Sequence, residues 1–186
     1  MNQMNQMNQG TGAGGSQTNA NGLSFEESTD ISSEFTTLRT EDNGRRQVVA
    51  SPNGMQFLTG SKTQFHPILQ RLFPDHIKME LLHGTKWPDE YYIYMDGFQT
   101  HINVIEKKTQ SSGGSVCEKL QTASTKRRRL KKMYPKCDVR YIYILSPYFR
   151  DNCRAELEEL EEDDVPYFFS DSGSYKEDVM SYMGSQ

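Results

Sequence analysis

No continuous apolar stripe can be drawn through residues 1–30, where three MNQ units give way to a Gly/Asn/Ser/Thr-rich run. These residues are expected to form a disordered, low-complexity tail, with a single folded domain over 31–186. In that domain GRRQVVASPNGMQFLTG carries two short apolar runs around SPNG, compatible with a hairpin or with a strand and loop. Phe65, Ile68, Leu69 and Leu72 fall at helical spacing in SKTQFHPILQRLF, with Pro67 in the first turn. Ile77–Leu82 is ambiguous between helix and strand. Glu90–Met95 and His101–Lys108 read as strands joined by the turn signal MDGF, hence as a hairpin.

After the loop SSGG, the stretch SVCEKLQTASTKRRRLKKMY predicts a helix of about five turns, with Val116, Leu120, Ala123, Leu130 and Tyr134 on one side. DVRYIYIL, Asp138–Leu145, is a strand rich in aromatic and β-branched residues. Residues 150–162 predict an acidic helix, Val165–Phe169 a short strand and Tyr175–Met183 a closing helix. The fold class implied is α/β, a mixed sheet flanked by helices.

Charge sharpens this picture because the overall net of −4 averages unlike segments. Residues 1–33 carry three acids and no Lys or Arg, residues 34–150 carry 19 basic against 11 acidic residues, and residues 151–186 carry 11 acids against Arg154 and Lys176. A basic middle is a footprint compatible with nucleic acid. No run approaches the roughly 18 apolar residues of a membrane span, and the polar N-terminus shows no secretory signal. Cys117, Cys137 and Cys153 are odd in number and widely spaced. They are expected to be ordinary thiols in a reducing, cytoplasmic setting rather than a disulfide framework or zinc site.

The candidate chemistry lies in WPDEYYIYMDGFQTHINVIEKKTQ, Trp87–Gln110. Three charges follow directly on the apolar run Ile102–Val104–Ile105, a costly arrangement against a core. Strand alternation sends Glu106, Lys108 and Gln110 to one face and Lys107 to the other. The hairpin returns the chain beside Asp89, so Asp89, Glu106 and Lys108 are expected together at one end of the sheet. Two carboxylates are hard oxygen ligands suited to Mg²⁺, and a lysine beside them can hold a water or a phosphate.

Pro88–Asp89 followed by Glu106-x-Lys108, on a hairpin succeeded by a helix and an aromatic strand, resembles the PD-(D/E)xK nuclease superfamily. Ile105–Thr122, IEKKTQSSGGSVCEKLQT, is similar in particular to type II restriction endonucleases of that superfamily. The resemblance covers roughly residues 62–150. It implies a restriction-endonuclease-like core in the order α-β-β-α-β and Mg²⁺-dependent hydrolysis of double-stranded DNA to 5′-phosphate and 3′-hydroxyl ends. Asp89 and Glu106 would be metal ligands and Lys108 the catalytic lysine. Gln110 and Lys119 would be second-tier members, and Glu80 the upstream helix carboxylate that many members supply. Where many members have an apolar residue between the Glu and the Lys, this chain has Lys107.

The run KRRRLKK puts Lys126, Arg127, Arg128, Arg129, Lys131 and Lys132 on the helix after the hairpin. By composition it is a solvated helix face; beside the proposed site it is expected to bind DNA backbone phosphates. Asp96 is read as a turn residue, and the four histidines lack metal or nuclease spacing. Cleavage of a palindrome suits a two-fold homodimer. The competing readings are a structure-specific nuclease, such as a junction resolvase or repair endonuclease, a non-cutting DNA-binding protein, and an interaction protein whose basic helix meets an acidic partner.

Overall fold

Asp96 and Gly97 make the turn about which the sheet is organised. The Asp96 carboxylate accepts hydrogen bonds from the backbone N–H groups of Phe98 (2.9 Å) and Gln99 (2.8 Å), and Gly97 takes a φ of +94° that favours glycine. These bonds and His101 hold the Asp96 carboxyl down at about 2. The computed structural model describes residues 15–74, 87–110 and 117–185. The MNQ repeats, the ambiguous segment Ile77–Leu82 with Glu80, and the SSGG loop lie outside them.

Among the described residues seven strands form one mixed sheet whose spatial order is the chain order. β1 (Thr36–Glu41), β2 (Arg46–Ala50), β3 (Gln56–Gly60), β4 (Glu90–Met95) and β5 (Thr100–Lys108) pair antiparallel in succession. β6 (Cys137–Leu145) and β7 (Tyr167–Phe169) then add in parallel. The α-helices of the described residues are α1 (Gly15–Ser28), α2 (Phe65–Leu72), α3 (Ala123–Met133), α4 (Tyr148–Asn152), α5 (Arg154–Glu162) and α6 (Tyr175–Gly184). Among the described residues the order α2-β4-β5-α3-β6 runs through the centre. No described helix is long and apolar enough to cross a membrane.

β4, β5 and β6 are buried on both faces, which is why they read as nearly unbroken apolar runs. On one face Tyr91, Ile102, Val104, Tyr141 and Tyr143 pack with Phe65 and Leu69 of α2, Leu130 of α3 and Leu157 of α5. On the other, Tyr92, Ile105, Ile142 and Ile144 pack with Ile31 and with Val179 and Met183 of α6. Alternation along β5 therefore sends Val104, Glu106 and Lys108 toward α3, and Ile105 and Lys107 the other way.

Five departures from the sequence expectations have physical reasons. The tail expected over residues 1–30 gives way to α1 from Gly15 to Ser28, where Phe25 packs on the second core and the Glu26 carbonyl accepts a bond of 2.7 Å from Lys107 Nζ. Tertiary contact supplies what composition does not. β1 is absent from the expected elements because TTLRTE holds one apolar residue and is exposed at the edge. The helix expected before Tyr134 begins as a 3-10 turn, Cys117–Thr122, and the acidic helix breaks at Cys153. Both breaks sit at a disulfide, Cys117–Cys153, with a Cα separation of 5.5 Å. This corrects the expectation of free thiols: packing of the 3-10 turn against α5 joins cysteines 36 residues apart, and the free-thiol argument for a cytoplasmic setting falls with it. Cys137 remains a buried free thiol.

Gly60 ends β3 where two elements crowd it. A Cβ there would collide with the Arg45 carbonyl oxygen, fixed because it accepts from Ser61 N–H, and would lie 2.9 Å from the Tyr91 hydroxyl. Gly60→Ala is expected to destabilise the fold by about 1–3 kcal/mol through overpacking, read as a lowered midpoint in urea unfolding. An unchanged midpoint would show that the β3 end relaxes freely.

Candidate active site

Asp89 stands just before β4 and is fixed by the strand beside it. Its N–H donates to the Ile105 carbonyl (3.2 Å), and its Oδ2 accepts from the Lys107 N–H (2.8 Å). The register pairs Glu90 with Ile105, so Asp89 comes opposite Glu106. Lys108 Nζ lies between the two acids, 2.7 Å from Glu106 Oε1 and 3.8 Å from Asp89 Oδ2, and it donates to the Lys107 carbonyl at 2.9 Å. Three oxygens thus surround one cation.

Glu106 is buried, with three protein donors on its carboxylate. Lys108 and Lys126 (3.0 Å) share Oε1, and the Tyr141 hydroxyl donates to Oε2 at 2.7 Å. Burial pushes its pKa up, but the two ammoniums and the donated hydrogen bonds outweigh burial and hold it at about 2. Burial and the Glu106 charge push the Tyr141 phenol far up, so it stays a donor. Asp89 Oδ1 meets Lys62 Nζ at 3.1 Å, and Lys62 also pairs with Glu26 of α1.

Glu106 and Lys108 open onto a cleft of about 710 Å³ between the sheet and α3, lined also by Lys119, Lys126, Arg129 and Tyr141, while Asp89 borders a second hollow beside Lys62 and Glu90. The exposed residues lining the cleft are polar, with Lys119 and Arg129 against Glu118, while the buried Phe65, Val104 and Leu130 close its inner wall. Four cations, Lys108, Lys119, Lys126 and Arg129, against Glu106 and Glu118 give this cleft a net positive lining.

The structure brings Asp89, Glu106 and Lys108 together and separates other residues named from the sequence. Lys119 lines the cleft. Gln110 lies beyond the end of β5, its N–H donating to Ser146 Oγ at 3.2 Å. Glu80 lies outside the described residues. Of the basic run, Lys126 and Arg129 reach the cleft, while Arg128, Lys131 and Lys132 are exposed on the helix. Arg127 points elsewhere, donating to the carbonyls of Asp163 (2.7 Å) and Asp164 (3.1 Å) at the end of α5, and so serves packing rather than the cleft.

Lys107 is the neighbour that alternation separates from Lys108. Its side chain is 2 % exposed, on the opposite face, in an ion pair with Glu90. Sequence reasoning missed Lys62, Glu26, Tyr141 and the contact of Lys126 with Glu106. Tyr141 carried a usable signal, since alternation in DVRYIYIL puts Val139, Tyr141 and Tyr143 on the α3 face. Lys62 and Glu26 carried none, because their elements meet Asp89 only in the folded chain.

Among the described residues, one group of three metal-binding side chains lies within ligating distance, Cys117, Cys153 and Glu156, and its two cysteines are joined as the disulfide. No protein-family model, curated protein or solved structure matches the chain.

Proposed function

We propose that the chain is a Mg²⁺-dependent endonuclease of the PD-(D/E)xK kind that hydrolyses double-stranded DNA to 5′-phosphate and 3′-hydroxyl ends, with sequence-specific, restriction-type cleavage by a homodimer. The observation that carries the reading is the convergence of Asp89, Glu106 and the Lys107 carbonyl on the Lys108 ammonium at the mouth of a basic cleft. The ammonium stands where a cation suits three hard oxygens, so the donor set fits Mg²⁺ held by Asp89, Glu106 and the Lys107 carbonyl. When bound, such an ion polarises the phosphodiester and lowers the pKa of a coordinated water.

The chain's own residues do the rest. Lys108, released from the carboxylates, holds the attacking water or the phosphate through N–H donation. Tyr141 keeps Glu106 in one orientation, and the Lys107 N–H does the same for Asp89. Lys119 and Arg129 take backbone phosphates along the cleft, a sequence-independent attachment that fixes the duplex in register. Burial of Glu106 under Tyr141 limits water around the carboxylate and strengthens these electrostatic contacts.

The test is incubation of the full chain with unmethylated plasmid and phage DNA, with Mg²⁺ or with EDTA, beside Asp89→Asn. Discrete fragments that require Mg²⁺ and disappear with Asp89→Asn are expected, and end-sequencing then gives the cleavage site. Cutting of branched DNA alone would replace the restriction reading with a structure-specific nuclease. Retarded DNA without any cutting, on plain or branched substrates, would leave a binding protein.

A further inference from the structure

We infer that Lys126 is a latch on Glu106 that couples divalent-cation binding to the arrival of a DNA phosphate. In the free protein it holds the carboxylate, and with a duplex in the cleft it moves to the phosphate and leaves Glu106 open to the ion. This inference rests on the endonuclease reading above.

Charge is the first argument. Three ammoniums, those of Lys62, Lys108 and Lys126, already neutralise the three carboxylates they pair with, Asp89, Glu106 and Glu26, a net of zero. A divalent ion added to this set raises it to +2, so the ion binds weakly until negative charge arrives. A phosphate supplies that charge. Ion and phosphate therefore favour each other's binding, and linkage makes the effect reciprocal.

Geometry names the group that moves. Both Lys108 and Lys126 donate to Glu106 Oε1, and a metal at that oxygen must displace at least one of them. Lys108 is tied to three oxygens. The described contacts of the Lys126 ammonium are fewer: Glu106 and the face of Tyr141, 5.8 Å from the ring centroid. Lys126 also stands one helical turn before Arg129, and both line the cleft. A phosphate drawn to Arg129 is within the sweep of the flexible Lys126 stem, which suits a mobile point charge.

The experiment uses the full chain as wild type, Lys126→Met and Lys126→Arg, with folding checked by circular dichroism. Mn²⁺ binding is measured by electron paramagnetic resonance without DNA. Binding of a fluorescent mixed-sequence duplex with uncleavable phosphorothioate linkages is measured by anisotropy, with Mn²⁺ or with EDTA. Lys126→Met is expected to bind Mn²⁺ about tenfold more tightly than wild type, and Mn²⁺ is expected to tighten duplex binding about tenfold in wild type but less than about threefold in Lys126→Met. Lys126→Arg keeps the charge and stays close to wild type in the metal titration. Unchanged Mn²⁺ affinity and unchanged coupling in Lys126→Met overturn the latch while leaving the endonuclease reading intact. A wild-type protein that binds no Mn²⁺ in either measurement overturns both. If Lys126→Met does not fold, Lys126→Gln takes its place with the same expected outcomes.

Discussion

Replacing Lys108 by alanine is expected to lower Mg²⁺-dependent DNA cleavage by ~10³-fold or more while the protein stays folded and still retains DNA in a gel shift. The side chain is partly exposed at the cleft mouth, and its removal leaves Glu106 with Lys126 and Tyr141, and Asp89 with Lys62 and the Lys107 N–H. Neither acid is therefore left without a donor, and the fold is spared. The reaction loses the one ammonium that, among the described residues, touches both carboxylates. Lys108→Arg is expected to restore little, because a planar guanidinium does not place a compact charge at the same point. Cleavage by Lys108→Ala within about tenfold of wild type would remove Lys108 from the chemistry.

Lys107→Met, one residue away, should give the opposite result. Lys107 and Glu90 form a buried ion pair on the α1 and α6 face, and the Lys107 ammonium also donates to the Glu26 carbonyl. Breaking such a pair leaves an uncompensated buried charge and costs about 3–5 kcal/mol. In a chain of this length that lowers the melting temperature by about 6–20 °C. Burial already pushes the Glu90 carboxyl up against the pull of Lys107. Without the lysine its folded pKa rises further above its unfolded value, so the folded state takes up the proton more readily. The deficit should then be largest at neutral and alkaline pH and shrink as pH falls toward the carboxyl range. Thermal melts at pH 5 and pH 8 read this directly. A melting temperature lowered equally at both would locate the damage in packing instead.

The contrast between these two lysines shows what local pattern can carry. Asp96–Gly97 announces the hairpin, and a period of two along β5 is enough to divide Glu106 and Lys108 from Lys107. The pairing of Asp89 opposite Glu106 follows from the same turn. The basic run is visible as composition, but which of its members meets the cleft depends on the register of α3, and Arg127 turns instead to the end of α5. The Glu26–Lys62–Asp89 chain joins three elements far apart in sequence, and α1 has no apolar stripe to announce it. The disulfide is hidden for a similar reason, since spacing says little about which thiols a fold brings face to face.

The order of strands in the sheet has a consequence for biosynthesis. Because β1 to β5 pair with their chain neighbours, this antiparallel half can assemble as it leaves the ribosome, hairpin by hairpin. β5 must then wait for its parallel partner β6, which emerges only after α3. At the usual pace of synthesis that interval is roughly 2–6 s, during which the outer edge of the apolar run Ile102–Ile105 is open to other nascent chains. The segment translated in that interval includes Lys126–Lys132, six cations in seven residues. Such a run is suited to act as a gatekeeper, repelling like-charged neighbours from an unfinished sheet, before two of its members, Lys126 and Arg129, come to line the cleft.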